Sequence, residues 1–443
     1  MLKRLALLLL LLLLLTPAGA AQAADLTQWV VTTDMYGNPL YRTLTLREQA
    51  GVLRGDLDGD PIEGRRDGKS IWLTLKDNGG RHIVFSGAFG AAGLSGTVEE
   101  SPGAESRARA VHKFSARPVP SRPAGPPRRI EFAPTTYSNE FSAHRTPVAT
   151  IWPRDVVHTT TVDSGGVDEK GVTRALYGNP QTGPFFIGGA KAGDVLAVHI
   201  RRLTLNRDWA DSLDDIVGRA RSTRLAARSG ELGKPVRWTL DREHGVARPA
   251  SPTRGLKDFV VPLKPMLGGI GVAPDFGFPP ISTGDTGRFG GNMDFNEIGA
   301  GATVYLPVFQ PGALLYLGDA HAAQGEGETT QFALETSMDV EFSVDVLPRK
   351  SISDPRIETG THIVALGQAG SADDAIRVAT AGLVQWLEQD YVLTLSECAQ
   401  VIGSSVEYAV ATLAGQNVGV AAKLEKSRLA ELHRVTAQIN APR

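Results

Sequence analysis

The residues best suited to chemistry lie in glycine-rich stretches that follow apolar runs. The densest is GDAHAAQGEGE, Gly318 to Glu328, directly after ALLYL. On an extended chain residues two apart face the same side, so Asp319 and His321 project together if the strand continues to them. Gly325 and Gly327 permit a sharp turn that returns Glu326 or Glu328 towards the same spot. An imidazole and carboxylates converging on one point suit a divalent metal ion. From spacing alone, a polar turn with a hydrogen-bonded histidine is the alternative. A second cluster, GDTGRFGGNMDFNEIG, sets Gly290 and Gly291 beside Asn292 and Asp294, and LGGIGVAPDFG upstream adds a turn around Gly269. Exposed N–H groups of such turns can bind an oxyanion or substrate, and glycines also serve turns that need positive φ. A third cluster, HTTTVDSGGVDEKG, places Asp163 after a β-branched run.

These segments must be carried by strands. Between Trp29 and Phe114 short β-runs such as IWLTL and HIVFSG are bounded by DG, NGG and GG, the signature of hairpins, so residues 25–115 read as a small antiparallel β-domain. Two motifs there fail on spacing. A phosphate loop ending at Lys69-Ser70 would need glycine where Glu63 stands, and the calcium-loop start at Asp56 meets Pro61 and Asp67 where glycine and glutamate are required. ARPVPSRPAGPPRR, within 116–129, can neither pair as a strand nor continue as a helix and reads as a linker. Residues 130–350 read as a β-rich core, with Val340, Phe342, Val344 and Val346 alternating on one face. Its middle, from Asn206 to Lys257, reads as an elaborated loop with a hairpin around RWTLDREHGV.

Helices are expected only in residues 351–443. One is capped at Ser371, with Ile376, Ala379, Leu383, Trp386 and Leu387 at helical spacing; a second runs from Thr394 to about Leu413 and a last from Ser427 to Ile439. The fold class is thus α+β but predominantly β: a sandwich or jelly-roll-like core with C-terminal helices, preceded by a small antiparallel β-domain.

The chain's 443 residues are enough for two to four domains, and 21% charged residues with a formal net charge of −2 provide no basic field for nucleic acid. Residues 1–24 read as a secretory signal: Lys3 and Arg4 precede the apolar run Leu5 to Leu15, and small residues follow. That run is too short for a stable membrane anchor, for which ~20 residues are needed. A periplasmic or secreted protein follows. Its single cysteine, Cys398, cannot form an intrachain disulfide and reads as a buried helix residue.

Four blocks in order, NPQTGPFFIGGAKAGDVLAVHI, GGIGVAPDFG, TGRFGGNMDFNEI and GATVYLPVFQPGALLYLGDAHAAQGEGE, resemble the acetamidase/formamidase family, as do THIVALG and LSECAQVIGSSVEYAV further on. The resemblance covers about Pro134 to Lys426 and leaves out the N-terminal β-domain. It implies hydrolysis of a small carboxamide or lactam to a carboxylate and ammonia or amine through a metal-activated water. It also implies that Asp163, Asp294, Asp319, His321 and Glu328 occupy acidic and histidine positions of the site. We take Asp294, Asp319 and His321 as metal ligands, Glu328 or Asp163 as the base, and Gly269, Gly290, Gly291 and Asn292 as the substrate or oxyanion surface. The metal expected is zinc, with manganese, magnesium or calcium also compatible with an oxygen-rich set.

The chemistry agrees with that implication. An amide carbonyl is a poor electrophile, and a metal both polarises it and lowers the pKa of bound water. Cys398 lies outside the glycine-rich clusters, and no G-x-S-x-G elbow or Ser-Lys nucleophile loop is present. The competing reading is a non-catalytic periplasmic binding or interaction protein holding a structural metal on the same scaffold. A homo-oligomer is compatible with either.

Overall fold

The computed structural model describes residues 26–101 and 109–434. The expected signal segment and the end of the expected last helix, from residue 435 on, lie outside those residues. Two compact units result. Among the described residues, one comprises Leu44–Pro118 with residues 26–29; the other comprises residues 119–434 together with Val30–Thr43.

Eight strands between Thr27 and Pro118 form a closed antiparallel barrel in chain order. In Ser70–Lys76 the alternation is complete: Ile71, Leu73 and Leu75 are buried, while Trp72, Thr74 and Lys76 face water. Closing so small a barrel presses neighbouring strands together. At Gly64 a Cβ would sit 1.8 Å from the carbonyl oxygen of Trp72, so only glycine fits.

The larger unit is built on two sheets. One has nine strands, with Thr303–Pro307, Val195–Leu205 and Met338–Leu347 near its centre. The other has eleven, and within it Leu315–His321 pairs with Met266–Gly271, Gln181–Ile187 and Glu335–Thr336. The apolar side chains of both sheets share one core: Val198, Ile200, Val340, Phe342 and Val344 from the first, Phe185, Leu267, Ile270, Leu315 and Leu317 from the second. Phe185 and Phe342 meet edge to face at 5.5 Å. Each such side chain contributes about 1.5–3 kcal/mol by leaving water. Val346, expected on the same face, is only partly buried.

The C-terminal helices follow their caps. Ala372–Tyr391 starts where the Ser371 side chain accepts from the Asp374 backbone N–H, and Leu395–Ser405 starts at a full capping box of Thr394 and Glu397. Ala379, Leu383, Trp386 and Leu387 are buried, whereas Ile376, expected on that stripe, is exposed. The helix lies so close to strand His362–Ala369 that a Cβ on Gly367 would be 2.0 Å from the Ala375 carbonyl oxygen.

Three expectations need correction. Asn206 to Lys257 is not simply a loop: Trp209–Leu213, Pro235–Asp241 and Val246–Pro249 extend the eleven-stranded sheet, and the hairpin pairs Leu240 with Ala247. The second helix stops at Ser405, because Glu407–Thr412 pairs with Val418–Glu425. The described start of the expected last helix is only the short turn Lys426–Leu429. Among the described residues no helix is long and apolar enough to cross a membrane.

Candidate metal centre

Strand Leu315–His321 is buried along its whole length and delivers Asp319 and His321 together. They stand two apart on a strand whose register with Met266–Gly271 is unbroken, and Asp319 takes a φ of 53° within it. His321 Nε2 lies 3.5 Å from Asp319 Oδ1 and 3.2 Å from Glu335 Oε1. Glu335 arrives from directly across the ladder, where it is paired with His321. Asp294 and Glu328 complete the cluster from the two glycine-rich turns. Ligand atoms of Asp294, His321 and Glu328, and separately of Asp319, His321 and Glu335, lie within 4.8 Å of one another. Both triads are buried, and both use the same imidazole.

The histidine's tautomer follows from its neighbour. Gln324 Nε2 donates to the backbone oxygen of Asp294 at 2.6 Å, which turns Gln324 Oε1 towards His321 Nδ1 at 2.7 Å. Nδ1 therefore carries the proton, and in the neutral ring Nε2 turns its lone pair to the acids. That leaves acceptors facing acceptors. Asp294 Oδ1, Asp319 Oδ1 and Glu335 Oε2 are buried with no hydrogen-bond partner. Buried carboxylate oxygens without donors are costly, and a divalent cation is the charge that satisfies such a set. The residues thus fit a metal ion.

Without a cation, protons must take that role. Burial, aided by the neighbouring Asp319, pushes Asp294 up to about 8. Burial and Asp294 push Glu328 well above the usual carboxylate range, and burial raises Glu335. Burial alone would lower His321, but Glu335 and Asp319 outweigh it and hold the ring protonated.

Backbone conformation places these groups as much as strand pairing does. Asn179, Asp294, Asp319 and Glu328 all have φ between 38° and 56°. This left-handed region is tolerated by Asn and Asp but uncommon for Glu. Gly268 makes room between the acids: a Cβ there would lie 2.2 Å from Asp294 Oδ1 and 2.5 Å from Asp319 Oδ2. Its carbonyl accepts from the backbone N–H groups of Met293 and Asp294.

Asp163 is not in the cluster. Its Oδ1 accepts from the N–H groups of Gly165 and Val167, and its Oδ2 from the buried Arg207 at 2.7 Å. Arg207 also donates to the Glu335 carbonyl and to Thr336, so Asp163 supports the strand that carries Glu335. Gly290 and Gly291 lie in a strand paired with Ile270 and Gly271, where a Cβ on Gly290 would be 2.4 Å from the Ile270 carbonyl oxygen. Gly269 clears space for the Gln181 side chain. Asn292 touches the cluster through Asp294. Residue types and spacing do not single out Glu335, Asn179 or Gln324. An acid inside the apolar run FALETSM is the one signal for Glu335.

Comparisons with known proteins bear on this centre. The structure is similar to an acetamidase from Yersinia enterocolitica, with a TM-score of 0.60 and 28% identity over 69% of this chain and 94% of that one. It is also similar to an acetamidase from Bacillus halodurans, with a TM-score of 0.58 and 25% identity over 68% and 99%. A protein named as a formamidase in Schizosaccharomyces pombe is 39% identical over 75 residues, which span 17% of this chain and 18% of that relative. Residues 281–418, which contain Asp294, Asp319, His321, Glu328 and Glu335, match the Acetamidase/Formamidase family.

Proposed function

We propose that the protein is a metal-dependent hydrolase of a small carboxamide, releasing a carboxylate and ammonia or amine. The observation that carries this reading is a buried cluster in which Asp294, Asp319 and Glu335 each keep one unpartnered oxygen, while Asp319 Oδ1 and Glu335 Oε1 lie 3.5 and 3.2 Å from His321 Nε2. A single Nε2 lone pair serves one ion, so we assign one divalent cation, zinc in the first instance, to His321 with the surrounding acids. Such an ion supplies a polarised carbonyl and a water nucleophile near neutral pH. Glu328 is the residue we assign to move the proton. It lies on a turn at the edge of the cluster, with Oε2 accepting from Thr412 at 3.2 Å. Asp163 is unsuited to that role because both its oxygens are engaged. Burial of the cluster excludes bulk water, which strengthens each charge interaction on a developing oxyanion. Two of the proteins to which this chain is similar are named an acetamidase and a formamidase, and we extend that substrate class, small linear amides, to this chain. Export to the periplasm or medium, read from residues 1–24, is part of the same proposal.

One observation favours the binding-protein reading: Asp294, Asp319, His321, Glu328 and Glu335 are each no more than 6% exposed, as in a closed structural site. Metal analysis and ammonia release from formamide, acetamide and propionamide separate the two. His321→Ala should lose metal and turnover together. Glu328→Gln should retain metal while turnover falls by ~10²–10⁴-fold. Metal-loaded wild-type protein inactive on all amides tested would favour the structural ion.

A further inference from the structure

Two carboxamides decide which oxygens the aspartates present. Asp294 Oδ2 accepts from Asn292 Nδ2, and Asp319 Oδ2 accepts from Asn179 Nδ2 at 3.2 Å. In both residues it is the other oxygen, Oδ1, that is buried without a partner. The second proton of Asn179 Nδ2 goes to Asn292 Oδ1 at 2.8 Å, so the two carboxamides are linked to each other. Both polar ends of Asn292 are thereby occupied, which leaves it little capacity to contact substrate. Asn179 is anchored in turn: Gln181 Nε2 donates to its backbone oxygen at 2.9 Å, and its φ of 56° is one that Asn adopts readily.

Asp294 belongs to one triad and Asp319 to the other, and the shared imidazole alone does not orient either carboxylate. We infer that Asn179 and Asn292 form a single clamp that withholds Oδ2 of Asp319 and Asp294 and offers both Oδ1 atoms to the cation. They are positioning residues, not ligands. The inference rests on the proposed cation at His321. Charge-neutral donors are the right kind for such a clamp, since a lysine or arginine in their place would satisfy the acids and compete with the ion. A carboxamide supplies hydrogen bonds and no charge.

The test is titration of chelator-stripped, folded protein with Zn²⁺ or Mn²⁺, followed by calorimetry, together with melting in chelator. Variants are Asn292→Ala, Asn179→Gly, which removes the side chain yet keeps the left-handed backbone accessible, and the double variant. Each single variant should bind 10–100-fold more weakly. Because the two side chains act as a unit, the double variant should lose less than the product of the single losses. A purely structural role would lower the melting midpoint but leave the affinity of the folded protein unchanged, and that result would overturn the clamp. Product-like losses in the double variant would overturn the linkage. Wild-type protein that binds neither ion would instead overturn the proposed function itself, and the clamp with it.

Discussion

At the scale of single residues, the cluster's protons and its cation compete for the same atoms. Asp294 is held up to about 8 by burial and Asp319, and His321 is held protonated by Glu335 and Asp319 against its burial. An unfolded carboxylate titrates near ~3.9 and an unfolded histidine near ~6.5. Between those values and the raised folded ones the cation-free native state binds more protons than the unfolded chain, so its stability falls as pH rises. A bound cation replaces the protons and removes that loss. Melting midpoints measured with and without chelator should therefore diverge between pH 6 and pH 8, the chelated sample falling and the loaded one holding. A constant gap would mean that the cluster does not exchange protons for metal. His321, Asp319 and Asp294 were legible in the sequence because acids and an imidazole stand out among glycines after an apolar strand. Glu335 was not, because its partner is set by ladder register: only pairing reveals that it lies opposite His321.

At the scale of elements, the centre depends on how closely strands approach. Three carboxylates reach it through positive-φ residues, conformations that no periodicity in the sequence encodes and that cost about 1–3 kcal/mol each unless surrounding packing enforces them. Gly268 is where that enforcement is tightest, since any side chain there would overlap the oxygens of Asp294 and Asp319. Gly268→Ala should destabilise the protein by about 1–3 kcal/mol through overpacking and abolish metal binding by pushing the acids apart. Gly325→Ala provides the control, because a Cβ there meets nothing within 4 Å. Denaturant melts and metal content of the two variants give the comparison; equal metal content in both would show that the carboxylates can shift without cost. By contrast, the helix starts at Ser371 and Thr394 were readable from sequence, because a cap is local chemistry, whereas the end of the second helix was set by pairing with a distant strand.

At the scale of the whole molecule, the chain order misleads about what belongs together. The Pro-rich stretch suggests a clean division near residues 116–129, but Val30–Thr43 belongs to the larger unit. Val30 is buried in that unit's main core, Tyr41 packs against it, and the Tyr41 hydroxyl pairs with His144 Nδ1 at 3.1 Å. A long-range contribution of this kind is invisible to composition, since the same residues also alternate as good strands. It has a measurable consequence. A fragment beginning at Val119 keeps every ligand of the centre but loses the buried Val30, worth about 1.5–3 kcal/mol, and the partly buried Tyr41 that packs against the core. In a unit of this size such a loss should lower the melting midpoint by several degrees, the shift being ~2–4 °C per kcal/mol at 150–250 residues and less above that. Metal affinity of the fragment, measured while it is still folded, should be unchanged, because the acids and the histidine of the centre all lie between residues 294 and 335. A fragment that melts with the full chain would show that the N-terminal strands contribute nothing to the larger core. One that melts early and also loses metal would mean that the centre depends on the packing of that core.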